Sequence, residues 1–439
     1  MRLNNRILRP FRTIRLANAI VFLCFALVLS GCQPISSVHT AAPISLPDEE
    51  TSSPSDFGAP AETSDPWLDQ TQEGPETVIP SYTTEAALLA VGDIMMHMPQ
   101  LPASYDAKTK TYNFNNFFTH VKPILEEGDW VLANLEAPLG GEDLGYSGYP
   151  MFNAPPELAA ALKYAGFTIV TTANNHAMDR KEIGVIRTLD RLKEQGLVTK
   201  GTAASAEEAE QWTIVTKNDI KMGILAYTYG TNGIKVPEDK PYLISLIDKP
   251  KMMADIAGLR EAGADVVTIA LHFGTEYQRK PNKQQMELAR ECIQAGADII
   301  LGAHAHVVQP YEKVEVTNED GSKRTGYIVY SMGNFLSNMK DEYTDYGIIF
   351  SVHIKKHFPE GTVELHDASA IPTWVHISGP RAKRQYRILP VQQTIEHRNN
   401  PLLREADYKR LKEKLQALTA HLESMNETVR VQASPPAVD

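Results

Sequence analysis

Between residues 86 and 304, short apolar runs alternate with helix-like segments. The runs are Ala86–Asp93, Asp129–Glu136, Phe167–Asn174, Lys221–Tyr227, Asp265–His272 and Asp298–His304. Apolar runs of this length without a polar alternation predict strands buried on both faces. Helices are expected over Pro155–Gly166, Gly184–Gly196, 251–263 and Lys283–Ala297, with Pro near a start and Gly at an end. Strands separated by helices specify an α/β fold with largely parallel sheets. Tyr327–Ser331 and Gly347–Val352 have no helix between them and read as antiparallel strands. Across Glu405–Glu427, Tyr408, Leu411, Leu415, Leu418 and Leu422 recur at helical spacing. This predicts an amphipathic C-terminal helix docked on the domain, with a partner-binding helix as the alternative.

Ligands of such sheets sit beyond the carboxyl ends of the strands. Here those ends carry Asp93, Asn134-Leu135-Glu136, Asn174-Asn175-His176, His272 with Glu276 four residues on, and His304-Ala305-His306. Converging on one edge, they supply carboxylate, amide and imidazole, a set suited to Mn, Fe or Zn. The chain has only three cysteines, Cys24, Cys32 and Cys292. A disulfide framework and a Cys-based zinc cluster are therefore excluded. Cys292 lies within an expected helix and reads as a small buried residue. His304 and His306, two residues apart, can face one site or neighbouring metals from an extended or turning segment. The Asn175 amide can serve where a two-metal site limits negative charge, and His176 beside it could protonate a leaving oxygen.

The first 31 residues hold five Arg and no acidic residue, followed by an apolar run over Leu16–Leu29. That run has the length of a secretory h-region and is short for a spanning helix. Leu29-Ser30-Gly31-Cys32 resembles the lipobox of bacterial lipoproteins, with Cys32 the acylated residue and residues 1–31 a signal peptide. Residues 32–83, rich in Pro, Ser, Thr and acidic groups, read as a disordered tether. Formal net charge is −11, and the five Arg lie in the leader, so the rest carries −16. Such a chain is a poor general partner for nucleic acid. A lipid on Cys32 would hold it to the cell membrane, on the extracytoplasmic face. The folded part is expected over 84–356, with a strand and helical extension over 357–439.

Six ordered motifs carry a resemblance to a known family: Val91-Gly92-Asp93-Ile94-Met95, Asn134-Leu135-Glu136-Ala137-Pro138-Leu139, Ala173–Asp179, His272–Tyr277, Gly302–Pro310 and Ser331-Met332-Gly333-Asn334-Phe335. The sequence resembles the CapA/PgsA family of poly-γ-glutamate capsule proteins, within the calcineurin-like metallophosphoesterase superfamily. The resemblance implies a β-sandwich of two mixed sheets flanked by helices (α/β/β/α) and two divalent metal ions. It implies Asp93, Glu136, Asn175, His272, His304 and His306 as metal ligands, with Glu136 where the superfamily usually has a bridging Asp. It implies His176 as the acid. Glu276 belongs to the capsule family's own motif and is carried as a further candidate catalytic or substrate-binding residue. Asp179 is expected to cap or orient the Asn175-His176 loop. The superfamily's Asp-x-His start is not kept: Met95 stands at the His position. His97, two residues on, reads as a turn histidine, with a substitute ligand as the alternative.

Two functional classes follow from the resemblance. One is a metal-dependent hydrolase or transferase in capsule synthesis, or a surface phosphoesterase unrelated to capsule. The other is a non-catalytic component that binds poly-γ-glutamate, or a related polymer, or the membrane synthase and export subunits.

Overall fold

The alternation along Leu88, Leu89, Ala90 and Val91 decides the layering. Leu88 and Ala90 enter one apolar core with Trp130, Leu132, Ile224, Val266, Ile299 and Leu301. Leu89 and Val91 enter another with Val131, Leu158, Leu162 and Phe117. A strand that buries both faces needs no polar face, which is why the run is continuously apolar.

A computed structural model describes residues 80–432, apart from 341–342, 381–383 and 426. Residues 1–79, with the leader, Cys32 and nearly all of the expected tether, lie outside the described residues, as does the tail beyond 432. The strands are β1 (Tyr82–Ile94), β2 (Trp130–Leu135), β3 (Ile169–Thr171), β4 (Val198–Lys200), β5 (Ile214–Lys217), β6 (Ile220–Thr228), β7 (Val266–His272) and β8 (Ile299–Ala303). They continue as β9 (Tyr311–Thr317), β10 (Lys323–Val329), β11 (Asn334–Leu336), β12 (Tyr346–Phe358), β13 (Val363–Ser378), β14 (Gln385–Pro390) and β15 (Val429–Gln432). The longer helices are α1 (Glu157–Ala165), α2 (Lys181–Glu194), α3 (Lys249–Glu261), α4 (Lys283–Gln294) and α5 (Glu405–Leu422).

The first large sheet runs β14-β13-β12-β1-β2-β3-β4, with β11 also on β1; the second runs β15-β9-β10-β8-β7-β6-β5; a short pair, Tyr105–Asp106 with Thr111–Tyr112, stands apart. β1, β2, β3 and β4 are mutually parallel, and β12 returns antiparallel to β1. In the second sheet β6, β7, β8 and β10 are parallel. The two sheets meet across the core that contains Trp130. Met252, Ile256 and Leu259 of α3, with Ala289 and Ile293 of α4, cover the outer face of the second sheet through Leu225, Val267, Ile269 and Ile300. The architecture is the mixed α/β/β/α sandwich that the sequence leads one to expect. Trp130 is buried between the sheets, and its truncation to Ala would cost about 3–5 kcal/mol.

Three boundaries differ from the sequence expectation. β1 begins at Tyr82, inside the expected tether, because β12 extends beside it to the Tyr82–Phe358 pair. The segment beyond 356 is built into the first sheet through β13 and β14. The C-terminal helix ends at Leu422 rather than 427. It docks: Tyr408, Leu411, Leu418 and Leu422 are buried, and the three leucines join the inter-sheet core.

Candidate metal centre

The parallel strands of both sheets deliver their carboxyl ends to one place. Asp93 pairs in register with Asn134 on one side and Asn334 on the other. His272 pairs with Ala303 and with Thr228. The register of β1 shifts around Asp93 against both neighbours, an irregularity that re-aims a side chain. Two glycines permit the approach. A Cβ on Gly92 would stand 1.9 Å from the Gly333 carbonyl oxygen, and one on Gly302 would stand 2.0 Å from that of Tyr330. Past β8 the backbone turns sharply: His304 has φ +90° and His306 φ +57°. Left-handed conformations cost a non-glycine residue about 1–3 kcal/mol each and gather at functional sites.

Asp93, Glu136, Asn175, His272, His304 and His306 are all buried and come together. One group is Glu136, His272 and His304; a second is Asp93, Glu136 and His306; within each, one ligand atom per residue lies within 4.8 Å of the others. Glu136 belongs to both. His272 Nε2 is 3.5 Å from Glu136 Oε1 and 2.8 Å from Asn175 Oδ1. His306 Nδ1 is 3.4 Å from Asp93 Oδ2 and 3.9 Å from Glu136 Oε2. The His304 backbone N–H donates to Asp93 Oδ2 at 3.1 Å.

The donor set fits divalent metal. Both carboxylate oxygens of Glu136, and Nδ1 of His304, are buried without a hydrogen-bond partner. Buried polar atoms are normally paired, and an orphaned carboxylate is costly. A cation between these atoms would satisfy them.

Electrostatics divides the groups. Burial, and next Asp93, push Glu136 up to about 8. Burial alone would raise Asp93, but the His306 hydrogen bond and the charges of His272 and His306 hold it at about 2. Burial alone would lower His306, but Glu136 and Asp93 lift it to about 9. Burial holds His272 and His304 neutral, at about 3 each. Metal-free, the site stores protons on Glu136 and His306.

His176 stands beside the ligands, its Nδ1 2.7 Å from Asp179 Oδ2, with Phe152 edge-on at 4.6 Å. Asp179 also accepts from the Phe152 N–H, so it orients the Asn175-His176 loop as the sequence leads one to expect. Glu276 is exposed on the loop after β7 and belongs to neither ligand group. It acts on His272, His304, His306 and Glu136 through its charge. His97 is half-buried: its Nδ1 accepts from the Asn338 N–H at 3.3 Å, and it too belongs to neither group.

Four residues that sequence reasoning left out of the site support it. Asn134 Nδ2 donates to Asp93 Oδ1 at 2.7 Å and lies 3.2 Å from His272 Nδ1. Asn334 Oδ1 is 3.1 Å from His306 Nδ1. Both lie in the family-like motifs Asn134–Leu139 and Ser331–Phe335. Tyr229, whose ring centroid is 4.6 Å from that of His304, and Asn232 follow β6, whose end carries no carboxylate or imidazole to mark it.

The sequence pattern of the bacterial capsule synthesis protein PGA_cap family matches residues 87–339. The PGA biosynthesis protein CapA of Bacillus subtilis (strain 168) is 30% identical over 292 residues, 64% of this chain and 72% of that protein. The capsule biosynthesis protein CapA of Bacillus anthracis is 30% identical over 282 residues, 62% of this chain and 64% of that one. Among solved structures, the NAD nucleotidase NadN of Haemophilus influenzae gives a TM-score of 0.42 at 13% identity, covering 76% of this chain and 67% of that one. The calcineurin-like phosphoesterase YfkN of Bacillus subtilis gives 0.38 at 14%, covering 78% and 99%. The matched segment takes in every candidate ligand from Asp93 to His306, and the chain belongs to the PGA_cap family of bacterial capsule synthesis proteins.

Proposed function

We propose that this protein serves capsule polymer synthesis, with poly-γ-glutamate or a related polymer as its partner, through a centre that holds two divalent metal ions. The observation that carries the reading is Glu136: one buried carboxylate shared by two ligand groups, with neither oxygen hydrogen-bonded. Glu136, Asn175, His272 and His304 would hold one ion; Asp93, Glu136 and His306 would hold the other. Mn, Fe or Zn suits these donors. Such a pair, when bound, would supply hydroxide at neutral pH and neutralise oxyanion charge.

The chain's own residues do the rest. Asn134 donates to Asp93 and lies against His272 Nδ1, and Asn334 Oδ1 lies against His306 Nδ1, so both amides pack directly on the candidate ligands. His176, anchored through Nδ1 to Asp179, can carry a proton on Nε2 for a departing oxygen or nitrogen. Phe152 shields that ring on one side. The reaction class is hydrolysis or transfer at a polymer end or phosphoester. In this reading Cys32 carries a lipid that keeps the domain at the extracytoplasmic face of the cell membrane, beside the synthase and export subunits. Among the described residues no helix is long and apolar enough to cross a membrane.

The test is metal analysis of the full chain, with His304→Ala and Glu136→Gln, alongside polymer yield in cells carrying each variant. We expect about two equivalents of metal in the parent and a loss of at least one in each variant, with polymer lost in parallel. Equal metal in all three proteins would refute the centre. Metal loss with normal polymer would refute its role in capsule synthesis.

A further inference from the structure

The Asn175 amide has one oxygen and one nitrogen, and only the oxygen can bind a cation. The side chain has no intrinsic preference for which atom faces the site, so something must decide. The loop after β6 does. Asn175 Nδ2 donates to Asn232 Oδ1 at 3.2 Å. With its nitrogen so engaged, Asn175 presents Oδ1 inward, 2.8 Å from His272 Nε2. The other end of the Asn232 amide, Nδ2, lies 3.5 Å from His176 Nε2, and the Tyr229 hydroxyl reaches Asn232 Oδ1 at 3.5 Å. Asn232 has φ +51°, a left-handed backbone that Asn and Gly accept most readily. A single side chain thus touches Asn175 and His176 and lies on the loop that places Tyr229 over His304.

We propose that Asn232 is a positioning residue of the metal centre: by accepting the Asn175 N–H it fixes the amide oxygen inward and makes a neutral side chain a usable metal ligand. The proposal rests on the reading of Asn175 as a ligand. Losing a partner of a metal ligand typically lowers affinity about 10–100-fold.

The experiment titrates Co²⁺ into the full chain and reads both the dissociation constant and the visible ligand-field spectrum. Asn232→Gly keeps the left-handed backbone while removing the amide, so folding is preserved; circular dichroism checks this. Asn232→Asp keeps an acceptor oxygen at the same position. We expect Asn232→Gly to bind at least one Co²⁺ about 10–100-fold more weakly, with an altered spectrum. Asn232→Asp should stay within about threefold of the parent and keep its spectrum. In an Asn175→Ala background, Asn232→Gly should change affinity by less than about twofold, because the clamp has nothing left to hold. Parent-like affinity and spectrum in Asn232→Gly would overturn the proposal and leave the metal centre standing. So would a loss in Asn232→Asp as large as in Asn232→Gly, or a full loss persisting in the Asn175→Ala background. Failure of the parent itself to take up Co²⁺ would instead remove the metal centre, and this proposal with it.

Discussion

The protons held on Glu136 and His306 set a steep pH dependence of metal uptake. A metal ion needs its ligands deprotonated, so the apparent dissociation constant is multiplied by the cost of removing each proton. Glu136, at about 8, weakens binding about 50-fold on going from pH 8 to pH 6. His306, at about 9, adds about 90-fold over the same interval. Asp93 at about 2, and His272 and His304 at about 3, are already in their binding forms throughout and add nothing. An ion bound by Asp93, Glu136 and His306 should therefore lose about 10³–10⁴-fold in affinity between pH 8 and 6. An ion bound by Glu136, His272 and His304 should lose only the Glu136 part. Mn²⁺ titration of the full chain by calorimetry, at pH 7 in buffers of different protonation enthalpy, should find about two protons released on filling both sites. An apparent affinity that changes less than about fivefold from pH 6 to 8, with no proton release, would refute the assignment of Glu136 and His306 as protonated ligands.

The same two groups make the metal-free protein less stable as pH rises. In the unfolded chain Glu136 and His306 titrate near their ordinary values of 4.5 and 6.5, below their folded values. The folded state thus binds more protons: the Glu136 part of the stability is lost from about pH 4.5 to 8 and the His306 part from about pH 6.5 to 9, so both fall together above about pH 6.5. Thermal midpoints in EDTA should decline across that window, and a rise would contradict this; saturating Mn²⁺ should remove the decline. His176→Asn should keep its metal, since Asn175 is the neighbouring ligand, while any turnover falls by about 10²–10⁴; loss of metal in this variant would refute the division of roles. Cys32→Ala should abolish fatty-acid labelling in cells and release the protein, and unchanged label would refute the anchor.

The candidate ligands were legible because a buried strand has few reasons to end in His or Glu. Asp93, Glu136, His272 and His304 each follow a run made mostly of apolar residues that packing accounts for. Asn232 was hidden for the opposite reason: it sits in a loop of small polar residues, Gly230-Thr231-Asn232-Gly233, where Asn is explained well enough by the turn. β13 was hidden by Pro372, which cannot donate to a ladder and argues against an interior strand. The strand nevertheless lies between β12 and β14, with Pro372 paired in register with Ile348. Its sixteen residues are held by neighbours on both sides, so tertiary pairing overrides the local signal. His97 lacks any local sign of its partner, because Asn338 is 241 residues away.

Asp93, Glu136 and Asn175 come from the first sheet; His272, His304 and His306 come from the second. Ligands for either ion therefore do not exist as a set until both sheets have formed and docked. The chain must close loops of about a hundred residues or more before a cation could be held there, a search that makes for slow folding. An ion bound there would oppose any motion that parts the sheets, contributing RT ln(1 + [M]/Kd) against separation and nothing to either sheet alone. With the proposed centre in place, metal content would report completed assembly: a chain caught with one sheet built and the other open would be metal-free, however well folded its first half.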